Sequence, residues 1–138
     1  MILSANRFVE AVFATLRLKQ SQVLLDDGQN LDRAFHNCAV AMAKYLAEHR
    51  PNVILSFSFS LNQLHGDSPE FREALLMAGK SGLVSIDNPV FRTVRLKISD
   101  SRAKRVLAEF PIPQSVIDNA VSAEFPIVNG SLDAAHHR

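Results

Sequence analysis

The chain has 138 residues, 47% hydrophobic and 21% charged, which suits one domain with its own core and excludes a chain disordered throughout. No uncharged apolar run reaches the roughly eighteen residues that a membrane span needs, and Met1–Arg7 lacks the basic and apolar segments of a secretion signal. A lone cysteine excludes internal disulfides and fits a reducing compartment, so the expectation is a cytoplasmic protein with no membrane partner. The formal net charge of +1 argues for nothing by itself, but its distribution is uneven. Residues 91–110 hold Arg92, Arg95, Lys97, Arg102, Lys104 and Arg105 against Asp100 and Glu109, a net +4. Residues 51–90 hold Arg72 and Lys80 against Asp67, Glu70, Glu73 and Asp87, a net −2. The basic block reads either as a phosphate-facing surface or as the ordinary solvated faces of a strand and a helix.

In chain order, Ile2, Ala5, Phe8, Val9, Val12, Phe13 and Leu16 fall on one helical face, which predicts a helix over 2–17. The polar run 26–29 leads to Asn30, the expected N-cap of a second helix with Asp32 in its first turn to meet the dipole. That helix carries the cleanest period in the chain, Leu31, Ala34, Phe35, Cys38, Ala39, Met42, Tyr45 and Leu46, and it ends at Arg50-Pro51. Residues 53–61 fit two readings. Leu55, Phe57, Phe59 and Leu61 alternate with Ser56, Ser58 and Ser60 as in one half-buried strand; alternatively Val53–Phe57 is a short strand and a brief helix follows as far as Gly66.

Asp67-Ser68-Pro69 opens the next helix with a capping side chain and a proline in the first turn. Phe71, Ala74, Leu75 and Ala78 form its inner face, and Gly79 and Gly82 bracket its end. Leu83–Ile86 and Phe91–Ile98 read as strands joined by a turn at 87–89. Val94, Leu96 and Ile98 then share one face, with Thr93, Arg95 and Lys97 on the other. Ser99 or Asp100 caps a helix containing Ala103, Val106, Leu107 and Phe110, which Pro111 and Pro113 interrupt. A last helix runs through Val116, Ile117, Ala120 and Val121, and the tail from Asn129 reads as loose.

From residue 31 to 99 the expected order is helix, short strand, short helix, helix, strand, strand, as in the winged variant of helix-turn-helix. Gly82-Leu83-Val84, then Arg92 ten residues after Gly82, then Ile98-Ser99 six and seven residues later, resemble the wing of MarR-type transcriptional regulators. Leu61–Gly66 resembles the first helix of the pair, and Ser68–Leu75 the start of the recognition helix. The resemblance implies a mainly α fold with a small β-sheet, a winged helix-turn-helix domain flanked by N- and C-terminal dimerisation helices. The winged-helix core would span about 31–99 within a single unit 1–128, helices 2–17 and 101–122 would build a homodimer, and 129–138 would be a flexible tail. It also implies duplex DNA as partner, a role in regulating transcription, and a crevice for a small apolar or aromatic effector.

Ser68 and Arg72 on the recognition helix and Arg92, Arg95 and Lys97 on the wing are the candidate DNA-binding residues. Two departures from the family pattern matter. Val90 stands where an acidic residue is usual, and the recognition helix turns Glu70, Arg72, Glu73, Leu76 and Met77 outward with no net positive charge. Either the wing dominates the contact, or the module serves as a protein-protein interaction adaptor without specific DNA binding. Cys38 falls on a core stripe, so a nucleophile triad with His65 and Asp67 would hide its thiol from substrate, and no enzyme activity is expected. His36 is placed for a local ion pair with Asp32, His49 for a helix dipole, His65 for a turn, and His136 and His137 for the tail. No clustered ligands suggest a metal site, and no glycine-rich loop suggests a nucleotide cofactor.

Overall fold

In the computed structural model, which describes residues 1–19, 21, 23–26, 29–86 and 93–125, the chain begins in a strand rather than a helix. Ile2–Leu3 forms β1, and Ser4, whose hydroxyl accepts from the Arg7 amide at 3.2 Å, caps α1 over Ala5–Leu18. β2 (Val23–Leu25) leads to α2 (Asn30–His49), whose N-cap is Gln29 at φ 60 rather than Asn30. Then come β3 (Ile54–Leu55), α3 (Pro69–Lys80), β4 (Val84–Ile86), β5 (Thr93–Leu96), α4 (Asp100–Glu109) and α5 (Gln114–Glu124). The class is mainly helical with small sheets, and among the described residues no helix is long and apolar enough to cross a membrane. The tail 129–138 lies outside the described residues.

Of the two expectations for 53–61, the single strand is overturned, and the alternative is right in its short strand but not in its helix. Only Ile54–Leu55 is strand, paired in parallel with Ile2–Leu3, and no helix forms between 58 and 66, where a turn occupies 63–65. The alternation is nonetheless real in burial: Phe57 and Phe59 point into the core while Ser56, Ser58 and Ser60 face outward. It lacks a ladder because the chain turns at Phe59, which adopts a left-handed φ of 54. The segment Leu61–Gly66 is therefore not the first helix of a pair. The second sheet takes its third strand from elsewhere, with antiparallel order β2-β5-β4 and Val23, Arg95 and Ser85 in one row. The body around the sheet consequently begins well before residue 31.

Helix α1, expected to help build a dimer, is buried for most of its length within its own chain. From Phe8 to Leu16 every residue of α1 except Glu10 is buried, because α3, α4 and α5 all pack against it. α4 runs antiparallel to α1 and is tied to it at both ends. Arg17 meets Asp100 at 3.0 Å, Arg102 meets Glu10 at 3.2 Å, and the Arg7 guanidinium donates to the Glu109 carbonyl at 3.3 Å. α5 packs on α2 and α1, with Lys19 to Asp118 at 2.9 Å. The helical segment 101–122 is thus engaged within its own chain.

Phenylalanines knit these layers together. Phe35 on α2 has ring centroids 4.5 Å from Phe71 on α3, 5.5 Å from Phe13 on α1 and 5.5 Å from Phe125 beyond α5. Phe8, Phe57 and Phe59 extend the cluster, with centroids 4.7–6.1 Å apart. Such tilted and edge-on pairs add about 0.5–1.5 kcal/mol each beyond the area they bury.

Candidate functional site

The start of α3 is built inward. The Ser68 hydroxyl accepts from the Phe71 amide at 3.1 Å, and the Ser68 amide donates to Asp32 Oδ2 at 2.8 Å. Ser68 is fully buried, so its assignment as a DNA contact is corrected: the hydroxyl serves as the N-cap. One turn on, the Arg72 guanidinium forks onto Asp26, Nη1 to Oδ2 at 2.6 Å and Nη2 to Oδ1 at 2.8 Å. Its Nε donates to Asp32 Oδ2 at 3.2 Å, and Nη2 also binds Asp32 Oδ1. The hydrogen bond to Asp26, foremost, and those to Asp32 raise the Arg72 pKa above its already high value, against the opposing effect of burial. Arg72 therefore fastens α3 to the β2–α2 connection, and its assignment to DNA is corrected on that ground.

Glu70, expected to face outward, accepts from the Ser58 amide at 3.2 Å and the Phe59 amide at 2.9 Å. Its carboxylate thereby anchors the strained turn at Phe59. His36 joins the same turn. Its Nδ1 lies 3.1 Å from the Phe59 carbonyl, which can only accept, so Nδ1 carries the proton. The expected ion pair between His36 and Asp32 is replaced by these contacts.

At its other end α3 closes in a Schellman arrangement, with the Leu83 amide donating to Ala78 at 3.0 Å and the Gly82 amide to Gly79 at 3.2 Å. Gly82 sits at φ 78, where a side chain would be strained. The outward face of α3 is left with Glu73, Leu76, Met77 and Lys80, and Leu76 is 59% exposed. Ile86, at the edge of β4, stands beside Gly79 and extends this apolar strip.

On β5, Val94 and Leu96 are buried against the core, while Arg95 and Lys97 are exposed on the opposite side. α3 packs against β4 on the buried side of the sheet, so Arg95 and Lys97 share a surface with each other rather than with α3. Arg92 and the expected turn at 87–89 lie outside the described residues. Of the basic block, Arg102 is paired with Glu10, and Lys104 and Arg105 are exposed on α4.

Cys38 is buried, with Sγ 3.6 Å from the Ala120 carbonyl, and burial, aided by Glu124, pushes its pKa up to about 12. A thiol so placed is a poor nucleophile. Among the described residues no group of three or more His, Cys, Asp or Glu side chains is placed to hold a metal ion. A groove of about 560 Å³, not foreseen in the sequence, runs along the outer face of α2 between that helix and residues 51–58. Its signal in the sequence was the small apolar run Val40, Ala43 and Ala47, which lies outside the core stripe of α2. No protein-family model, curated protein or solved structure matches this chain.

Proposed function

We propose that the chain is a winged-helix protein of MarR-like build that binds duplex DNA and regulates transcription, with the hairpin and α4 making most of the contact. The observation that carries this reading is topological. From α1 to β5 the order is helix, strand, helix, strand, helix, strand, strand; the two-residue β3 pairs with β1 in a sheet of its own, while the other three strands form a sheet of order β2-β5-β4 and α3 leads into its β4–β5 pair. With β3 set aside, this order resembles that of a winged helix and supports the reading, and the 50–68 connection that holds β3 is much longer than the turn of a simple helix-turn-helix. Lys97 beside Arg95, and Lys104 and Arg105 on the next helix, supply positive charge for phosphates. A contact of this kind is dominated by counterion release and reads sequence weakly.

A salt titration of binding to random duplex DNA tests this. Affinity falls steeply as salt rises, and each of Lys97→Ala and Arg105→Ala lowers the log–log slope by about 0.9. Absence of binding even at low salt overturns the reading. A second reading, a protein-interaction adaptor, is favoured by the exposed strip of Leu76, Met77 and Ile86 on α3 and β4, where a DNA-reading helix would expose polar side chains. Absence of DNA binding together with a partner interaction lost in Leu76→Glu would favour the adaptor.

A further inference from the structure

β3 leaves one edge of its sheet open. The Ile54 amide donates to the Met1 carbonyl at 2.9 Å and the Ser56 amide to the Leu3 carbonyl at 3.1 Å, so both face β1. Successive peptide groups of an extended chain point to opposite sides, which turns the N–H and C=O of Leu55 away from β1. Among the described residues neither of these groups meets a hydrogen-bond partner. Beyond that edge lies the groove beside α2 rather than a third strand. Val53, Leu55 and Phe57 line it on the strand side, and Val40, Ala43 and Ala47 on the helix side.

The groove has the outline of a single absent strand. Residues 53–58 run back along α2 after the turn at 51–52, which closes one end, and the contact of His36 with the Phe59 carbonyl closes the other. Between these stops the helix wall from Val40 to Ala47 is roughly 10 Å long, and the strand wall from Val53 to Phe57 roughly 13 Å. That length takes roughly four extended residues. Val40 is 54% exposed and Ile54 60% exposed, so the rim is open to solvent. No carboxylate lines the groove among the described residues. Arg33 and Lys44, both exposed and on the same stripe of α2 as Val40, give it a basic border.

We propose that this groove receives an extended apolar segment of a partner protein, flanked by acidic side chains, which pairs through its backbone with Leu55. The open edge selects this occupant. A helix satisfies its own amides, and a hydrocarbon has none to offer, so either would fill the groove and leave the Leu55 groups unmet. A residue of an antiparallel strand set opposite Leu55 exchanges both N–H···O bonds with it, and its neighbours lay alternate side chains on the apolar walls. The acidic flanks then meet Arg33 and Lys44. The site rests neither on the DNA-binding reading nor on the adaptor reading, whose strip lies on α3 and β4.

The probe is a synthetic peptide, acetyl-Asp-Val-Thr-Val-Thr-Val-Asp-amide, titrated into the isotope-labelled full-length chain and followed by amide resonances. Signals of Leu55 and Ala43 shift while those of Leu76 and Ile86 stay, and exchange of the Leu55 amide with solvent slows at least about tenfold at saturation. The same peptide with its internal backbone nitrogens methylated keeps every side chain and binds at least about tenfold more weakly. Ala43→Trp fills the groove and abolishes binding, with circular dichroism confirming that the variant is folded. Lys44→Glu weakens binding about threefold, and a lysine-ended peptide recovers it. Absence of binding at millimolar peptide overturns the proposal, as do shifts confined to Leu76 and Ile86. Equal binding of the methylated peptide overturns it in favour of a site for any apolar molecule. A Leu55 amide already protected before peptide is added overturns it too, and assigns the edge to the chain's own C-terminal tail or to a second copy.

Discussion

Asp32 has no exposed surface, yet its carboxylate is met by the Arg72 guanidinium and the Ser68 amide, so the start of α3 converges twice on one buried charge of α2. Removing the cation leaves that charge without its counterpart, which is costlier than losing a surface pair. Arg72→Ala is expected to lower the unfolding free energy by about 3–5 kcal/mol in urea titrations. Arg72→Lys recovers only part of the loss, because an ammonium cannot fork onto Asp26 and reach Asp32 together. Cys38 gives a prediction of a different kind. An ordinary thiol loses its proton near 9.0, but the folded thiol keeps it up to about 12, chiefly through burial. Between those values the unfolded chain binds fewer protons than the native one, so stability falls as pH rises, by up to about 1.4 kcal/mol per unit from this group. In a urea-unfolding pH series Cys38→Ala should show a flatter alkaline limb than the wild type. Below that window the two slopes should coincide.

At the scale of elements, the five helices and the strands β4 and β5 were legible, whereas β1 and β2 were not. The boundaries of α3 and α4 followed from Ser68 and Ser99, whose hydroxyls cap as their sequence context suggests. α2 was read from its apolar period to within a residue at its start. β1 and β2, of two and three residues, are too short to carry a period, and their pairing is set by segments far away: Ile2 with Ile54, Val23 with Arg95. The same long-range closure hid the roles around α3. Nothing in the local sequence tells that Glu70 will reach back to Ser58 and Phe59, or that Arg72 will reach Asp26 and Asp32. A charged residue on the outward arc of a helix reads as solvated until the neighbouring chain is placed. The difference is measurable: Glu70→Ala, which orphans two amides at a left-handed residue, should cost about 1–3 kcal/mol. Glu73→Ala, on the exposed face next to it, should stay within about 0.5 kcal/mol.

At the scale of the whole molecule, the placement of α1 decides what the surface can do. With that helix at the centre of the core and α4 and α5 packed on it, the described surfaces that bear on function are β5 with the exposed side of α4, one strip of α3 and the outer side of α2. The basic side chains of the hairpin and α4 and the apolar face of α2 belong to different elements, so a change that abolishes one proposed interaction should spare the other. The phenylalanine cluster has a practical consequence. The chain has nine Phe, one Tyr and no Trp, so its core is invisible to tryptophan emission. Tyr45, stacked on His49 with ring centroids 4.6 Å apart, is the lone strong emitter and reports on the last turns of α2 instead. Aliphatic methyls held over the faces of packed rings resonate upfield of their random-coil positions. Proton spectroscopy of those methyls therefore follows the integrity of the interior, while tyrosine emission follows the end of a single helix.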